Sequence, residues 1–545
     1  MNAETSFIAG MAAKLGLSAR FFIPYGVDRA KVSLQALEGC SRRGKLVLTS
    51  AVTPTPAGEG KTTVSIGLAQ GLQAIGMRSA LALREPSMGP VFGRKGGATG
   101  GGASSLTPSE TINLHFNGDF HAVTSAHNLL SAVVDNALHF GSSRLDPTRV
   151  AWKRVIDMND RALRSVVVGL NGQGVPRESS FDITPASEIM AVLCLAESLA
   201  DLRARLERMV VGFTRDGEAV YAREFGVSGA MLAILKEALM PNLVQSCEGV
   251  PAFVHGGPFA NIAHGCNSVL ATKMAMAFSD YAVTEAGFAF DLGAEKFLDI
   301  KCRQAGISPD VIVIVATVRA LKMHGGVAKD ALDAPDVEAV RRGLDNLEAH
   351  LESAALFRRP VVVAVNLFAS QDTEEETAAI REFCAARGVR CAVADVFGRG
   401  GAGAVELARL VVEASHEAAP PFSCLYGDSL SAEEKLSVVA SKIYGASGVV
   451  LTPAARRKLA LFERNGLAGL PVCVAKTQNS LSDDPALAGR PRGFTITVRD
   501  FEIANGAGYL VALTGAILRM PALPRIPAAC SIDVAPDGRV IGMKG

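Results

Sequence analysis

A glycine-rich segment ending in Lys61 and Thr62 carries the residue types that most directly indicate chemistry. Residues 53–63 read Thr-Pro-Thr-Pro-Ala-Gly-Glu-Gly-Lys-Thr-Thr. In such a turn, Gly58 and Gly60 let backbone N–H groups approach an anion, the lysine reaches the β- and γ-phosphates of a nucleotide such as ATP, and the Thr62 hydroxyl binds Mg²⁺. The residues predicted to bind these phosphates are Thr55, Pro56, Ala57, Gly58, Glu59, Gly60, Lys61, Thr62 and Thr63.

The residues on either side of this segment favour a phosphate-binding loop. Residues 45–52 are apolar and β-rich, and apolar residues recur at helical spacing after Thr63 until Gly76. A loop between a strand and a helix directs N–H groups and the positive end of the helix dipole at an anion. The usual eight-residue pattern begins with glycine where this chain has Thr55, and the alternative is a tight turn with a solvated lysine.

A second cation, Arg84, follows the predicted strand of residues 79–83. A guanidinium beside the loop can hold a carboxylate or phosphate oxygen with two hydrogen bonds, so Arg84 and Lys61 are the predicted catalytic residues. The alternative is a structural ion pair of Arg84 with Glu85 or another acid. Residues 93–102 contain six glycines and are expected to wrap a ligand or to move. The residues expected to line the site here are Glu85, Ser87, Lys95, Gly96 and Gly97.

Histidines near a phosphate-binding loop suggest acid–base catalysis. His121 lies in a polar stretch that follows the glycine-rich residues, and His255, Asn261 and His264 lie in a segment, residues 255–267, that is dense in glycine and polar side chains. We expect these side chains to line the site. For each histidine, structural hydrogen bonding is the alternative.

Two phenylalanines follow two further predicted strands. Residues 361–365 lead to Phe368, and residues 390–394 lead to Phe397. Because the carboxyl ends of neighbouring parallel strands meet at one edge of a sheet, the two rings could clamp a flat heterocycle by stacking. Burial in the core is the alternative for each ring.

The elements that position these residues read as an α/β fold. The predicted strands are residues 45–52, 79–83, 251–255, 311–316, 360–365, 390–394 and 470–475. Several are continuous apolar runs, as expected for a parallel sheet that is covered on both faces, and helical patterns such as 336–355 and 374–387 separate them. We predict a P-loop NTPase-like, mostly parallel sheet with helices on both faces, together with smaller α+β lobes.

Composition changes suggest three parts of the chain. Residues 1–147 and 241–418 are predicted to form the P-loop α/β domain that binds the nucleotide and the second ligand. Residues 148–240 read as an α+β insertion, mainly helical over 188–209 and with a hairpin around Asp216-Gly217. Residues 419–545, which follow the boundary at Pro420-Pro421, are predicted to form a C-terminal α+β domain.

Bulk composition excludes several functional classes. The 545 residues are 49% hydrophobic and 20% charged, with a net charge of +1, and the mean hydropathy is +0.25. A neutral balance gives no electrostatic basis for binding nucleic acid or an anionic membrane. No signal peptide or membrane-spanning run is evident, and the ten cysteines are scattered without metal-type spacing. We therefore expect a cytoplasmic protein with reduced thiols.

Long motifs resemble those of the formate–tetrahydrofolate ligase family, also called 10-formyltetrahydrofolate synthetases. The resemblance extends over nearly the full length and is consistent with a monofunctional enzyme. The matching segments are residues 53–63, 84–87, 95–102, 152–161, 181–184, 255–267, 284–288, 476–478, 482–485 and 493–499.

The resemblance implies a reaction in which formate, ATP and tetrahydrofolate give 10-formyltetrahydrofolate, ADP and phosphate through formyl phosphate. Lys61, the loop N–H groups and Mg²⁺ on Thr62 would stabilise the transferring phosphoryl group. Arg84 would position formate, and Phe368 and Phe397 match the residues that sandwich the pterin ring. The resemblance also implies a homotetramer and a dependence on a monovalent cation, ammonium or potassium.

The chain departs from the family pattern at several positions. Phe397 replaces the usual tryptophan, Ala369 a proline, Ala103 a tyrosine and His127 an asparagine. Phenylalanine keeps a stacking face but has a smaller area and no indole N–H, so altered folate affinity is expected.

Two other functions remain as alternatives. One is a P-loop enzyme that phosphorylates another small carboxylate because its pterin site has diverged. The other is a protein that binds ATP as a switch for assembly, without turnover. Arg84 beside Lys61 argues against the switch, because a switch needs no second cation directed at a small anion.

Overall fold

The computed structural model describes residues 7–40, 43–93 and 97–543, and within them a single large sheet organises the chain. Seven of its strands are parallel, and we number them in chain order. They are β1 (Lys45–Ala51), β2 (Ser79–Leu83), β3 (Pro251–Val254), β4 (Tyr281–Glu285), β5 (Val311–Ala316), β6 (Val361–Asn366) and β7 (Arg390–Ala394). Their spatial order is β3-β2-β4-β1-β5-β6-β7.

Five antiparallel strands extend the β3 side of this sheet to twelve strands within the described residues. They are Phe22–Pro24, Ala30–Val32, Gly100–Gly101, Ser104–Thr107 and Asn242–Ser246. The mostly parallel α/β sheet is therefore confirmed, and an antiparallel flank is added to it.

The two faces of the parallel strands pack into two apolar cores. Val47 on β1 and Val313 on β5 pack with residues of the helix Lys61–Ala74 and the helix Val405–Ser415. Their chain neighbours point to the other face and into a second core. Burial on both faces is the physical reason that these strands are continuous apolar runs rather than alternating ones.

Helices cover both faces of the main sheet. The other α-helices are Phe7–Leu15, Met88–Phe92, Ser109–Asn113, Asp119–His139, Glu188–Leu195, Leu199–Glu207, Ser228–Leu235, Val269–Phe278, Arg303–Ala305, Val318–His324, Val337–Ala355, Glu374–Ala386, Val396–Arg399, Ala432–Val439 and Pro453–Arg464, and the π-helical segments are Phe290–Ala294, Phe297–Cys302 and Ala440–Tyr444. No helix among the described residues is long and apolar enough to cross a membrane.

Smaller sheets lie outside the main one. The strands Val210–Phe213 and Ala219–Tyr221 form the predicted hairpin around Gly217. The predicted helical segment 188–209 resolves into two helices, because the Ser198 hydroxyl accepts from the Asp201 N–H and caps a new helix. The other small sheets pair Arg154–Ile156 with Phe181–Ile183, Val166–Val168 with Arg177–Ser179, Asp533–Val534 with Val540–Ile541, and Gly448–Leu451, Thr495–Ala504, Tyr509–Thr514 and Val472–Ala475 with one another.

Candidate active site

The predicted phosphate-binding loop lies at the carboxyl end of β1 and leads directly into the helix Lys61–Ala74. Gly60 has a φ of +70°, and a Cβ there would lie 2.4 Å from Nδ2 of Asn366. That Nδ2 donates to the carbonyl oxygen of Glu59 at 3.1 Å. Glycine is therefore required at position 60 by both the conformation and the close approach of Asn366.

Glu59 holds the shape of this loop. Its side chain is buried, Oε1 accepts from the Thr55 N–H at 2.6 Å, and Oε2 accepts from the Thr317 hydroxyl. The Gly58 N–H donates to the Thr55 carbonyl at 3.0 Å, which closes the turn. The loop is thus held by its own hydrogen bonds together with those from Thr317 and Asn366, and its remaining N–H groups at the helix N-terminus can receive an anion.

Glu285 connects the loop to the second predicted cation. It ends β4, which lies between β1 and β2, so that Arg84 is separated from the loop by one strand rather than adjacent to it. The Thr62 hydroxyl donates to Oε2 of Glu285 at 2.8 Å, and Nη2 of Arg84 lies 3.7 Å from Oε1. Nη1 of Arg84 donates to the Pro258 carbonyl at 3.4 Å. The Glu285 carboxylate thus lies between the Thr62 hydroxyl and the Arg84 guanidinium.

The groups around Lys61 have opposing effects on the pKa of its ammonium. Burial lowers the pKa of the Lys61 ammonium, whereas the carboxylates of Glu285 and Glu59 raise it and the Arg84 guanidinium lowers it further. A half-buried ammonium at a helix N-terminus attracts an incoming anion, because water screens it only in part.

A cavity of about 290 Å³ opens beside Thr62, Arg84 and Glu285. Four buried polar atoms on this wall have no hydrogen-bond partner within the described residues: Nε of Arg84, Oε2 of Glu85, and Oδ1 of Asn159 and of Asn261. The remaining lining residues are Pro86, Ser87, Pro90, Ala98, Gly257, Phe259, Ile262, Phe288, Leu518, Pro521 and Ala522. Unpaired buried polar atoms are costly unless a ligand or water satisfies them, so the cavity fits a small polar ligand.

Comparisons with known proteins identify the family of this chain. A family model described as formate–tetrahydrofolate ligase matches residues 1–544. A formate–tetrahydrofolate ligase of Myxococcus xanthus (strain DK1622) is 57% identical over 540 residues, 98% of each chain. Another, of Bacillus pumilus (strain SAFR-032), is 54% identical over 541 residues, 98% of this chain and 96% of the relative.

The chain belongs to the formate–tetrahydrofolate ligase family.

The structure brings together part of the predicted site of this family member. Thr62, Arg84, Glu85, Ser87 and Asn261 line the cavity. Lys95 and Gly96 lie outside the described residues. Gly97 packs against the Asn113 side chain, since a Cβ on Gly97 would lie 2.5 Å from its Nδ2, and the adjacent Ala98 reaches the cavity.

Two of the predicted histidines lie outside the set of cavity-lining residues. The His255 ring is buried and bonds to the Ser268 hydroxyl at 2.7 Å and the Ala238 carbonyl at 2.6 Å. His121 is exposed and contacts the Ser125 hydroxyl at 3.4 Å. Neither lines the cavity.

His264 is buried, outside the set of cavity-lining residues, and has no partner on either ring nitrogen within the described part of the chain. Burial, together with the nearby Lys301 and Lys296 cations, lowers its pKa to about 3. It is therefore neutral at physiological pH.

The burial of His255 predicts that the stability of the fold depends on pH. Burial lowers its pKa to about 4, while the unfolded chain has an ordinary value of about 6.5. The unfolded chain therefore binds the additional proton in this window, and the folded state loses about 1.4 kcal/mol per pH unit as the pH falls from 6.5 towards 4. The variant His255→Gln, whose amide can still donate to Ala238, lacks this pH dependence. The difference in free energy of unfolding between the unaltered chain and the variant therefore becomes smaller as the pH falls.

Urea unfolding of both proteins at pH 7.5 and 5.5 measures this difference, and other titrating groups cancel because the two chains share them. We also expect unchanged kinetic constants for His255→Gln. A loss of turnover with intact stability would instead place His255 in the chemistry.

Glu285 and Asn159 are site residues that the sequence reasoning missed. Glu285 lies in the recognised segment 284–288, and a signal was available, because an acid that ends a strand of a P-loop sheet is suited to the metal of the nucleotide. Asn159 comes from the distant segment after the strand Arg154–Ile156, and it too lies in a recognised segment, residues 152–161.

The two phenylalanines end neighbouring strands, as expected. β6 and β7 pair in parallel, with Asn366 opposite Ala394. Phe368 is half-buried and Phe397 is 61% exposed, so neither ring is part of the core. Neither lines the 290 Å³ cavity. An exposed aromatic ring at the ligand edge of the sheet is suited to stacking on a heterocycle.

The described glycines of residues 97–102 serve close packing. A Cβ on Gly100 would lie 2.3 Å from the Ser104 carbonyl oxygen, and one on Gly102 would lie 2.3 Å from that of Phe397. Both glycines have positive φ, of +78° and +57°. The sequence favours ligand wrapping or motion for this segment, and the structure shows a close approach of Gly100 to Ser104 and of Gly102 to Phe397.

Proposed function

We propose that this chain ligates formate to tetrahydrofolate, giving 10-formyltetrahydrofolate, ADP and phosphate, and that ATP first converts formate into formyl phosphate. Formate is a poor electrophile, and phosphorylation of its oxygen supplies a leaving group. The observation that supports this most is the arrangement of Thr62, Glu285 and Arg84 on the wall of one small cavity, with Lys61 next to Thr62 at the start of the same helix. Membership of the family supports the same reaction.

The phosphoryl-transfer part is assigned to the loop and its helix. Backbone N–H groups of the turn 55–60 and the helix N-terminus would bind the phosphates, and Lys61 would neutralise charge on the transferring group. Arg84 would hold the formate carboxylate and then formyl phosphate, using its unpartnered Nε. Most of the rate enhancement would come from orientation and electrostatics.

The Thr62 hydroxyl and the Glu285 carboxylate are oxygen donors of the type that Mg²⁺ prefers, and they lie 2.8 Å apart at the helix N-terminus. These residues fit Mg²⁺ that arrives with ATP. The ion would neutralise phosphate charge when bound. Glu285 would orient Thr62 and keep Arg84 within reach of the cavity.

We expect Glu285→Gln to raise the Mg²⁺ concentration needed for half-maximal activity about tenfold, because the amide keeps an oxygen for Thr62 but loses the negative charge. Titration of Mg²⁺ at fixed ATP measures this. Thr62→Ser, which retains the hydroxyl, is the matched control and should keep the normal requirement. An unchanged requirement in Glu285→Gln would contradict the assignment.

A monovalent cation, ammonium or potassium, is a further expected cofactor. The unpartnered oxygens of Glu85, Asn159 and Asn261 on the cavity wall are suitable donors. Burial and the neighbouring Asp119 carboxylate raise the pKa of Glu85 well above its usual value, so a bound cation would favour its ionised form.

The pterin of tetrahydrofolate is assigned to Phe368 and Phe397. Their strands are neighbours, and the exposure of Phe397 leaves a face free for stacking. The pterin-linked amine would then attack the formyl carbon, and phosphate would leave.

The assembly is proposed to be a homotetramer in the cytoplasm. The family resemblance supports the tetramer, and light scattering should give four times the chain mass of 56.9 kDa. All ten cysteines lie within the described residues and are unpaired, in keeping with a reducing compartment.

Release of ADP with Mg-ATP, formate and tetrahydrofolate, each omitted in turn, tests the reaction. The proposal expects release that needs all three substrates, with 10-formyltetrahydrofolate formed in equal amount. Release that needs formate but not tetrahydrofolate would favour phosphorylation of a small carboxylate for another acceptor. ATP binding without formate-dependent release would favour the ATP-switched binding protein.

A further inference from the structure

The turn formed by residues 246–249 contacts the segment that carries Phe397. It links the strand Asn242–Ser246 to β3 and is closed by the Gly249 N–H, which donates to the Ser246 carbonyl at 2.8 Å. The Glu248 carboxylate accepts from the Gly401 N–H, at 3.1 Å to Oε1 and 3.3 Å to Oε2. An exposed side chain thus holds a buried backbone group four residues after Phe397.

The neighbouring glycine is required by this contact. Gly400 has a φ of +55°, and a Cβ there would lie 1.9 Å from Oε1 of Glu248. Only glycine combines that conformation with room for the carboxylate. The glycine-rich sequence after Phe397 therefore allows the approach of Glu248.

The other side of the same segment is held by different groups. The Ala103 N–H donates to the Phe397 carbonyl at 2.9 Å, and the Ser104 hydroxyl donates to the Val396 carbonyl at 2.8 Å. The Phe397 side chain itself is largely exposed. Its direction is therefore determined by a backbone that is anchored before and after it, and Glu248 supplies the anchor after it.

We propose that Glu248 is a positioning residue for tetrahydrofolate, which acts by fixing the backbone that presents Phe397. This inference rests on the proposed function, in which Phe397 stacks on the pterin. Glu248 itself touches no reacting atom.

The same contacts predict that ATP and formate are unaffected. On the helix Lys61–Ala74, the turn meets Gln73, whose Nε2 donates to the Glu248 carbonyl at 3.1 Å. Gln73 lies twelve residues, or about 18 Å of helix, from Lys61. The Gln73 bond involves the backbone of Glu248, so a side-chain substitution leaves it in place.

Glu248→Ala is expected to raise the KM for tetrahydrofolate about threefold to tenfold, because one charge-assisted and part-buried hydrogen bond is lost. The KM values for ATP and formate should stay constant. Glu248→Gln keeps an acceptor oxygen and should retain most of the affinity. Glu382→Ala, which removes an exposed acid from the helix Glu374–Ala386, controls for surface charge.

A second readout is independent of folate. Phe397→Trp places a fluorophore on the segment, and its anisotropy without ligand should fall when Glu248→Ala is added. The only other tryptophan, Trp152, is present in both proteins, and its signal is determined from the corresponding proteins that retain Phe397.

Lower anisotropy together with a higher KM for tetrahydrofolate supports the inference. Unchanged anisotropy overturns it, whatever the kinetics. Lower anisotropy with an unchanged KM for tetrahydrofolate overturns the positioning role of Glu248. In that case Phe397→Ala shows whether the proposed function has failed as well. If Phe397→Ala also leaves the KM for tetrahydrofolate unchanged, the assignment of the pterin to Phe397 is wrong.

Discussion

Replacement of Lys61 by methionine should lower kcat for formate-dependent ADP release about 10³-fold, because the proposed function assigns to Lys61 the neutralisation of charge on the transferring phosphoryl group. Methionine preserves most of the volume and the linear shape of the side chain. The loss should appear equally in a single-turnover experiment with saturating ATP, since the interaction is strongest when charge develops on the phosphoryl group.

Stability separates this effect from damage to the fold. Burial lowers the pKa of Lys61, so the folded chain holds this charge at a cost. Lys61→Met should therefore melt at the same temperature as the unaltered chain or above it. Lost activity with retained stability is the signature of a functional rather than a structural lysine.

Lys236→Met is the matched control, because Lys236 is exposed and follows the helix Ser228–Leu235. It should change neither kcat nor melting temperature. If Lys61→Met kept kcat within about tenfold, the loop N–H groups and the metal would have to carry the phosphoryl transfer without it.

Much of the fold follows from patterns that the sequence displays. The apolar runs of β1, β2 and β5 are buried on both faces, which leaves no room for the alternation of a half-exposed strand, and this makes them recognisable. The order of the strands in the sheet cannot be read from such patterns. The position of β4 between β1 and β2 depends on how distant segments of the chain pair, and the residues of a single strand do not encode it.

Some residues of the candidate site can likewise be located from the sequence, whereas others are brought to the site only by the fold. Lys61 and Thr62 lie in a local motif, so the sequence locates them, although the distant Thr317 and Asn366 help to hold the loop. The cavity wall is completed by Asn159 and Leu518, which reach it from segments hundreds of residues apart. The sequence leaves two roles open for His255, because its partners, the Ala238 carbonyl and the Ser268 hydroxyl, become visible only in the fold.

Arg84 is expected to determine the use of formate. Arg84→Gln should lower kcat/KM for formate about 10²- to 10³-fold, because the amide cannot offer a charged fork to the carboxylate or to formyl phosphate. Arg84→Lys keeps the charge but not the planar geometry and should recover only part of the loss. The KM for ATP should change little, because the loop N–H groups and Lys61 remain.

The far end of the same strand offers a matched control. Arg78 precedes β2 at the edge opposite to Arg84, and its Nε lies 3.4 Å from Oδ2 of Asp280. Arg78→Gln removes the same functional group from the same strand without approaching the cavity, so its kinetic constants should match those of the unaltered chain. If Arg84→Gln raised the KM for tetrahydrofolate but not for formate, the guanidinium would act on the second substrate, and the carboxylate would have to be held by other groups on the cavity wall, such as Asn261.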